Sequence, residues 1–158
     1  LLSRSDVISL HCPLTEENKY LINQSTIEKM KKGVIILNTS RGGLIHAKDL
    51  LKGIKSRQIG AACIDVYEEE GDLFFRDNSG HILEDDILAR LLSMPNVIVT
   101  SHQAFLTEEA LENIASTTLN NIDLFFNKNE SPNEVCYHCD NFEECSKTGT
   151  KLCLNCEK

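Results

Sequence analysis

Tryptophan is absent from this chain of 158 residues, and proline occurs only three times. No apolar run approaches the roughly 18 residues that a membrane-spanning helix needs, so we expect no transmembrane segment. Basic residues are also scarce, because 16 Lys and Arg face 24 Asp and Glu and leave a net charge of -8. Binding to nucleic-acid phosphates requires clustered cations, so this balance argues against a nucleic-acid partner.

The first residue is leucine and not methionine, and the pattern of the first residues leads us to expect no signal peptide here. An apolar strand pattern begins already at Val7, so we interpret the chain as a segment whose N-terminal portion is absent. Apolar residues make up 41% and charged residues 25%, which is typical of a globular protein. We predict one domain of ordinary size and a cytoplasmic location.

Cysteine is distributed unevenly along the chain. Cys12 and Cys63 lie in the body, whereas the other five of the seven cysteines lie between Cys136 and Cys156. A disulfide framework usually accompanies a secreted protein, and we expect no secretory signal for this chain. The cysteine-rich end is therefore predicted to bind a metal. We place the boundary of this tail at residue 133, after a main domain of residues 1–132.

The tail contains two Cys-x-x-Cys motifs separated by 13 residues. Four thiolates in two such pairs suit tetrahedral zinc, and a polar segment of this size gains most of its folding energy from the metal. An iron-sulfur site or a redox-active thiol pair remains open as an alternative. The predicted ligands are Cys136, Cys139, Cys153 and Cys156, with Cys145 and His138 as alternative ligands.

Residues 1–130 alternate between short apolar runs and longer amphipathic segments. This pattern predicts strands over residues 7–10, 34–37, 59–64 and 97–99. It also predicts helices over residues 47–56, 85–92 and 107–127, the last one capped by Thr107. A further short helix is predicted to begin with a capping box of Ser25 and Glu28 and to end at Gly33. The continuous apolar run 34–37 is typical of a strand covered on both faces.

Strands that alternate with helices indicate an α/β fold with a parallel sheet and crossover helices. Ligands of such sheets bind at the carboxyl ends of the strands. The residues that directly follow the predicted strands are therefore the candidates for a site, namely 11–13, 38–41, 65–70 and 101–102.

Three of these segments carry residues that could perform chemistry. Arg41, on a tight turn after a buried strand, could bind a carboxylate through its guanidinium fork. Asp65 could accept hydrogen bonds from a ligand amide or hydroxyl, and Glu70 could pair with a histidine. His102, between a strand and a helix, could act as an acid or base near neutral pH. The alternative for each is an ordinary solvated loop residue. His11, His46 and His81 are assigned no catalytic role, and His46 is expected to be exposed.

Four segments together resemble one protein family. The strings SDVISLHCPLTEENKYLIN, MKKGVIILNTSRGGLI, IGAACIDVYEEE and NVIVTSHQAFLTEEAL resemble the D-isomer-specific 2-hydroxyacid dehydrogenases over about residues 5–135. The segments DVYEEEGDLFF and SHQAFLTEEAL are most similar to the fermentative D-lactate branch of that family. The resemblance implies a Rossmann-like nucleotide-binding domain, of which this chain would be the C-terminal part, followed by a helix that returns toward another domain.

The resemblance also implies roles for individual residues. Arg41 would bind the substrate carboxylate and orient its carbonyl group. His102 would donate the proton when a 2-keto acid is reduced, and Glu70 would pair with His102. Phe105 would lie near the substrate. The residues implied to bind NAD are Cys12, Pro13, Asn18, Thr39, Ser40, Arg41 and Asp65, with Asp65 on the nicotinamide side.

The expected reaction is the NADH-dependent reduction of a small 2-keto acid, with pyruvate to D-lactate as the leading hypothesis. A dehydrogenase for a bulkier 2-keto acid, an NAD-sensing binding protein and a metal-binding interaction module are the alternatives. A sensor would not need to retain Arg41, Glu70 and His102 together. The family resemblance further implies a homodimer.

One departure from the family pattern concerns the cofactor. The chain contains no Gly-x-Gly-x-x-Gly, the loop that holds a pyrophosphate at a helix N-terminus. The acidic residue that would read the ribose is missing as well, so the preference between NAD and NADP stays open. We therefore expect the isolated chain to bind NADH weakly or not at all, and to be inactive alone.

Overall fold

The computed structural model describes residues 1–73, 80 and 82–133. The chain divides into two compact units, Leu1–Phe105 and Leu106–Lys158. His81 and the predicted metal ligands of the tail lie outside the described residues.

The first unit is built on a sheet of four parallel strands in the order β1-β2-β3-β4. The strands are β1 (Val7–Leu10), β2 (Val34–Asn38), β3 (Ile59–Ile64) and β4 (Val97–Val99). The register pairs Leu10 with Asn38, Asn38 with Ile64, and Ile64 with Val99, so the carboxyl ends of all the strands lie at one edge. The predicted α/β fold with a parallel sheet is confirmed.

Helices of the first unit cover one face of this sheet. They are α1 (Gln24–Ile27), α2 (Ala47–Lys55) and α4 (Asp86–Leu92), and a further short helix, α3 (Glu70–Leu73), follows β3 in the chain. One core cluster joins side chains of α1, α2 and α4 to Ile8, Ile36 and Ile59 of the sheet. The helix predicted over 47–56 ends one residue earlier, whereas α3 was not predicted.

The other face of the sheet remains partly open, which corrects the expectation that residues 34–37 are covered on both faces. Val34 and Ile36 are buried, but Ile35 is 36% exposed. Successive side chains of a strand point to opposite faces, and Val7 and Ile98 are likewise exposed on the neighbouring strands. An unbroken apolar run does not by itself show that both faces are covered.

The N-terminus of α1 differs from its prediction. Asn23, not Ser25, is the capping residue, and its side chain accepts hydrogen bonds from the amides of Ser25 and Thr26. The Thr26 hydroxyl in turn accepts from the Asn23 amide, so Thr26 takes the place predicted for Glu28. Asn is as effective a cap as Ser, and its extended backbone starts the helix two residues earlier.

Gly33 was predicted to cap this short helix, and that prediction is wrong because α1 ends at Ile27. Gly33 lies on a separate turn directly before β2, with a φ of +82°. Its amide donates to the carbonyl of Gln58 at 2.9 Å, which links this turn to the start of β3. A glycine is suited to this position because its backbone adopts a positive φ without strain.

The described part of the second unit is mainly helical. Helix α5 (Glu108–Asp123) continues into a π-helical turn, Leu124–Lys128, and Asn129 follows in a left-handed conformation. The Thr107 hydroxyl accepts from the Ala110 amide at 3.2 Å, which confirms the predicted cap. Across the described residues, no helix has both the length and the apolar character that crossing a membrane requires.

Candidate active site

The turn after β2 holds Arg41 and is fixed from within by Asn38. Asn38 is fully buried, and its side-chain oxygen accepts from the Ser40 amide at 3.1 Å. The side-chain NH2 of Asn38 donates to the Arg41 carbonyl at 2.9 Å. The oxygen and the NH2 group of the buried Asn38 side chain thus both have a hydrogen-bond partner in the turn. The Arg41 side chain is exposed, and its Nη1 donates to the Ser40 carbonyl at 2.8 Å.

The same turn is joined to the end of β1. The Ser40 hydroxyl donates to the carbonyl of Cys12 at 2.6 Å. Asn18 folds back over this segment and donates to the carbonyl of Pro13 at 2.7 Å. Thr39 is exposed beside them. The structure thus brings Cys12, Pro13, Asn18 and Ser40, all predicted to bind the cofactor, into two connected turns at one edge of the sheet.

The loop after β3 packs directly against the Arg41 turn. A Cβ atom placed on Gly42 would lie 2.0 Å from the carbonyl oxygen of Tyr67 and 2.5 Å from the amide nitrogen of Glu68. Such distances are impossible for a real side chain, so the two backbones approach each other only because residue 42 is glycine.

The three consecutive glutamates have three different environments. The Glu68 side chain accepts from the Ala47 amide at 3.1 Å and thereby satisfies the first turn of α2. Glu69 is exposed. Glu70 accepts from the Tyr67 amide at 3.0 Å through one oxygen and lies 3.2 Å from His102 Nδ1 through the other. The alternative of a uniformly solvated acidic loop is therefore wrong for Glu68 and Glu70.

His102 follows β4 on an unusual backbone. Ser101 and His102 both have positive φ angles, of 52° and 57°. The His102 amide donates to the Asp65 carbonyl at 2.5 Å. The imidazole is 33% exposed and the Glu70 side chain 19% exposed, so the pair is partly shielded from water but accessible to a ligand.

Asp65, the remaining charged residue that was predicted for the site, is buried at the end of β3. Its side-chain oxygen Oδ1 accepts from the Gln103 amide at 2.8 Å and from the Thr100 hydroxyl. Burial alone would raise the pKa of Asp65, but these hydrogen bonds and the neighbouring His102 outweigh it and lower the pKa below its ordinary value. The carboxylate thus organises the His102 loop, and its contact with a nicotinamide stays a prediction.

Tyr67 connects the acidic loop to α4, a connection that the sequence did not indicate. Its ring is buried, and its hydroxyl donates to the Asp85 carboxylate at 2.8 Å. Burial first, and then the adjacent Asp85, raise the pKa of Tyr67 above its ordinary value, so the phenol remains protonated. Asp85 also caps α4, which fixes the loop to the helix below it.

His46 is half-buried, contrary to the expectation that it is exposed. Its Nδ1 lies 2.8 Å from the Asp49 carboxylate, and its ring meets that of Tyr20 edge-on at 4.8 Å. These contacts support the start of α2. His11 is exposed and pairs with the Ser9 hydroxyl at 2.7 Å.

Over residues 1–73, 80 and 82–133, no group of three or more His, Cys, Asp or Glu side chains could hold a metal ion. A dinucleotide carries negative phosphates, and the exposed residues directly after β1 and β2 include no carboxylate: they are His11, Pro13, Thr39 and Arg41, and the exposed Glu16 and Glu17 follow farther along the first loop. This set of groups fits an anionic cofactor.

Phe105, predicted to lie near the substrate, is 52% exposed at the end of the first unit. Its role stays a prediction. Asn38 and Thr100 also belong to the site, although no role was predicted for either. A polar residue that ends a buried strand must find partners, and this requirement was a usable signal for Asn38.

Comparison with known proteins supplies the family context for this geometry. The family model of the D-isomer specific 2-hydroxyacid dehydrogenase, NAD binding domain, matches residues 1–104. A 2-hydroxyacid dehydrogenase of Aspergillus oryzae is 52% identical over 135 residues, which cover 85% of this chain and 39% of the relative. The D-lactate dehydrogenase of Escherichia coli is 50% identical over 135 residues, covering 85% and 41%.

The chain also resembles solved structures of dehydrogenases and reductases. The pyruvate reductase of Chlamydomonas reinhardtii superimposes with a TM-score of 0.72 at 49% identity, over 78% of this chain and 38% of that one. A D-lactate dehydrogenase from Treponema pallidum gives a TM-score of 0.73 at 42% identity, again over 78% and 38%. The chain therefore spans about two fifths of the length of the relatives that it matches.

Proposed function

The chain belongs to the D-isomer specific 2-hydroxyacid dehydrogenases through their NAD binding domain, and we propose that it carries the acid/base and carboxylate-binding groups of a cytoplasmic enzyme that reduces a small 2-keto acid with NADH. The observation that carries this proposal is the pair formed by His102 Nδ1 and Glu70 Oε1, 3.2 Å apart at the ligand-binding edge of the sheet. Pyruvate to D-lactate is the reaction that we propose.

The choice of pyruvate draws on the names of the relatives. The matched proteins of Escherichia coli and Curvularia clavata are D-lactate dehydrogenases, at 50% identity in both cases. The Chlamydomonas structure is that of a pyruvate reductase. A relative that acts on a longer substrate, D-2-hydroxyisocaproate dehydrogenase, matches at a lower identity of 35%. Some D-lactate dehydrogenases match at still lower identities, of 31% and 30%, so the choice of pyruvate rests on the names of the relatives near 50% identity.

Three side chains would share the chemistry. Arg41 would bind the carboxylate of the keto acid through its guanidinium group and keep the carbonyl in place. The cofactor, when bound, supplies a hydride to the carbonyl carbon. His102 would protonate the carbonyl oxygen as negative charge grows there, through Nε2, because Nδ1 faces Glu70. Glu70 would hold the ring in this orientation.

Two assays test this function. The chain is first assayed as it stands, and we expect weak or no NADH binding and no turnover, because it lacks a Gly-x-Gly-x-x-Gly loop. It is then grafted in place of the aligned 135 residues of the E. coli D-lactate dehydrogenase. We expect pyruvate-dependent oxidation of NADH by this chimera.

The matched variants of the chimera are His102→Gln and Glu69→Gln. We expect the first to lose about a thousandfold in kcat, within the usual range for a general acid, and the exposed control to lose little. Turnover of a bulkier 2-keto acid in preference to pyruvate, compared with the E. coli parent, would change the substrate and keep the mechanism. Intact NADH binding without turnover of any 2-keto acid would favour the NAD-sensing alternative.

We further propose that the cysteine-rich tail binds one zinc ion. The support is the sequence spacing of Cys136, Cys139, Cys153 and Cys156, which lie outside the described residues. Metal analysis of the purified chain should find one zinc per chain, and Cys136→Ser should remove it. A chain that holds iron, or no metal at all, would contradict this proposal.

We also propose that the complete enzyme is a homodimer, as is typical of the family. Light scattering on the chimera and on the chain gives the mass directly. A monomeric mass for an active chimera would refute the dimer without affecting the proposed reaction.

A further inference from the structure

The loop that carries His102 has a backbone that L-amino acids rarely adopt. Ser101 and His102 are consecutive, neither is glycine, and both have φ angles in the left-handed region, at 52° and 57°. Each such residue is unfavourable on its own because Cβ crowds the neighbouring carbonyl oxygen. Two in succession persist only where the surrounding structure holds them in place.

Asp65 provides most of that support. Its carbonyl oxygen accepts from the His102 amide at 2.5 Å, and its Oδ1 accepts from the Gln103 amide at 2.8 Å. The Thr100 amide donates to the carbonyl of Ile64 at 3.1 Å on the other side of the turn. Hydrogen bonds to β3 and its end therefore bracket Ser101 from both directions.

The Thr100 hydroxyl completes this arrangement from the side chain. It donates to the same oxygen, Asp65 Oδ1, that accepts from the Gln103 amide. The main-chain donors are available to any sequence, but the hydroxyl is a property of residue 100. Together with the Gln103 amide, the Thr100 hydroxyl orients the buried carboxylate. Because the pKa of Asp65 is lowered, this carboxylate stays charged and is a strong acceptor.

Asp65 is also tied to the turn that carries Arg41. Its amide donates to the carbonyl of Asn38 at 2.9 Å, and Asn38 holds the Arg41 turn through its side chain. The two buried polar residues at the ends of β2 and β3 are therefore neighbours, one supporting Arg41 and the other supporting His102.

We propose that Thr100 is a positioning residue: its hydroxyl fixes the Asp65 carboxylate, which holds Ser101 and His102 in the left-handed conformation and so directs His102 Nδ1 to Glu70. Its effect on catalysis rests on the proposed function of His102 as proton donor. The effect of Thr100 on the geometry of the loop does not depend on that function.

The geometric part is tested on the 158-residue chain by 15N NMR of the His102 ring, assigned by comparison with His102→Gln. We expect the neutral ring of the parent to carry its proton on Nδ1, donated to Glu70. Thr100→Val keeps the shape of the side chain but removes the hydroxyl, and should give a mixture of tautomers. Thr100→Ser restores the hydroxyl and should restore the parent spectrum.

A second variant distinguishes positioning from general stability. Glycine at residue 101 adopts a positive φ without strain, so Ser101→Gly added to Thr100→Val should recover much of the Nδ1-protonated form. In the chimera, Thr100→Val should lower kcat about tenfold with a smaller change in KM, as expected for one lost hydrogen bond to a charged group. The serine variant and the double variant should recover most of this loss.

Two results would overturn the proposal. One is a Thr100→Val chain with the parent tautomer and an unchanged kcat. The other is a loss that neither the serine variant nor Ser101→Gly repairs, which would show that Thr100 only stabilises the fold. If the chimera does not turn over any 2-keto acid, the proposed function fails, whereas the NMR result still decides the role of Thr100.

Discussion

Gly42 and Tyr67 are in direct backbone contact, with no space for a side chain between them. The missing Cβ of Gly42 would lie 2.0 Å from the Tyr67 carbonyl oxygen. Gly42 directly follows Arg41, and Tyr67 donates its amide to Glu70. This single contact therefore sets the spacing between the turn that carries the predicted substrate-binding arginine and the loop that carries the partner of His102.

The first prediction concerns this contact. Gly42→Ala should destabilise the chain by about 1–3 kcal/mol or more, because the backbone must separate to admit the methyl group. In the chimera it should also lower kcat/KM. The matched control is Gly71→Ala, since a Cβ at Gly71 meets nothing within 4 Å. Urea unfolding of both variants gives the comparison, and equal stabilities would show that the backbones can separate without cost.

The three glutamates of the acidic loop provide the second prediction. Glu68→Ala should lower the free energy of unfolding by about 1 kcal/mol, because the Ala47 amide at the start of α2 loses its acceptor. Glu69→Ala should change neither stability nor activity, since its side chain is exposed. Glu70→Ala should reduce kcat of the chimera by impairing His102. Thermal unfolding and kinetic assays of the three variants test these roles. A loss of stability in Glu69→Ala, or an unchanged kcat in Glu70→Ala, would contradict them.

The third prediction is a pH dependence of stability that arises from Asp65. Its pKa in the folded chain is lowered, so the unfolded chain binds a proton more readily than the folded one. The charged carboxylate therefore stabilises the fold above its unfolded pKa of about 3.9, and this contribution is lost as the pH falls further. We expect Asp65→Asn to cost about 1–2 kcal/mol at pH 7 and less below pH 4.

Unfolding at a series of pH values tests this expectation. The control is Asp6→Asn, because Asp6 is 82% exposed and pairs with Lys31 at the surface. Exposed pairs contribute little, so this variant should track the parent at every pH. A difference between parent and Asp65→Asn that grows on acidification would have the wrong sign and would rule out a stabilising carboxylate.

The sequence was sufficient to predict all the strands of the sheet and their parallel arrangement, because each strand is a short apolar run between polar segments. It also placed Arg41, Glu70 and His102 at one edge, since that edge follows from where parallel strands end. The start of α1 was misassigned because Ser25 and Asn23 are both good caps, and only the extended backbone of Asn23 decides between them.

The positive φ of Ser101 and the support from Thr100 could not be predicted. A left-handed serine has no sequence signature, and the Thr100 hydroxyl acquires its role from Asp65, which lies 35 residues earlier in the chain. Such a role depends on the pairing of β3 with β4, which brings the ends of the two strands together. Local sequence patterns predict the element in which a residue lies. They do not predict which residue from a distant part of the sequence it contacts.

The last prediction concerns Asn38, the most deeply buried polar side chain of the turn before Arg41. Asn38→Ala leaves the Ser40 amide and the Arg41 carbonyl without their partner and opens a small cavity, at a cost of about 2–4 kcal/mol. The exposed neighbour provides the control, Thr39→Ala, which should cost little. In the chimera, Asn38→Ala should mainly raise KM for pyruvate, because in the proposed function Arg41 would bind the carboxylate in both the bound state and the transition state. The loss from His102→Gln should instead fall on kcat. If Asn38→Ala lowered kcat alone, Asn38 would support the proton donor rather than the carboxylate site, and the division of roles between the ends of β2 and β3 would be wrong.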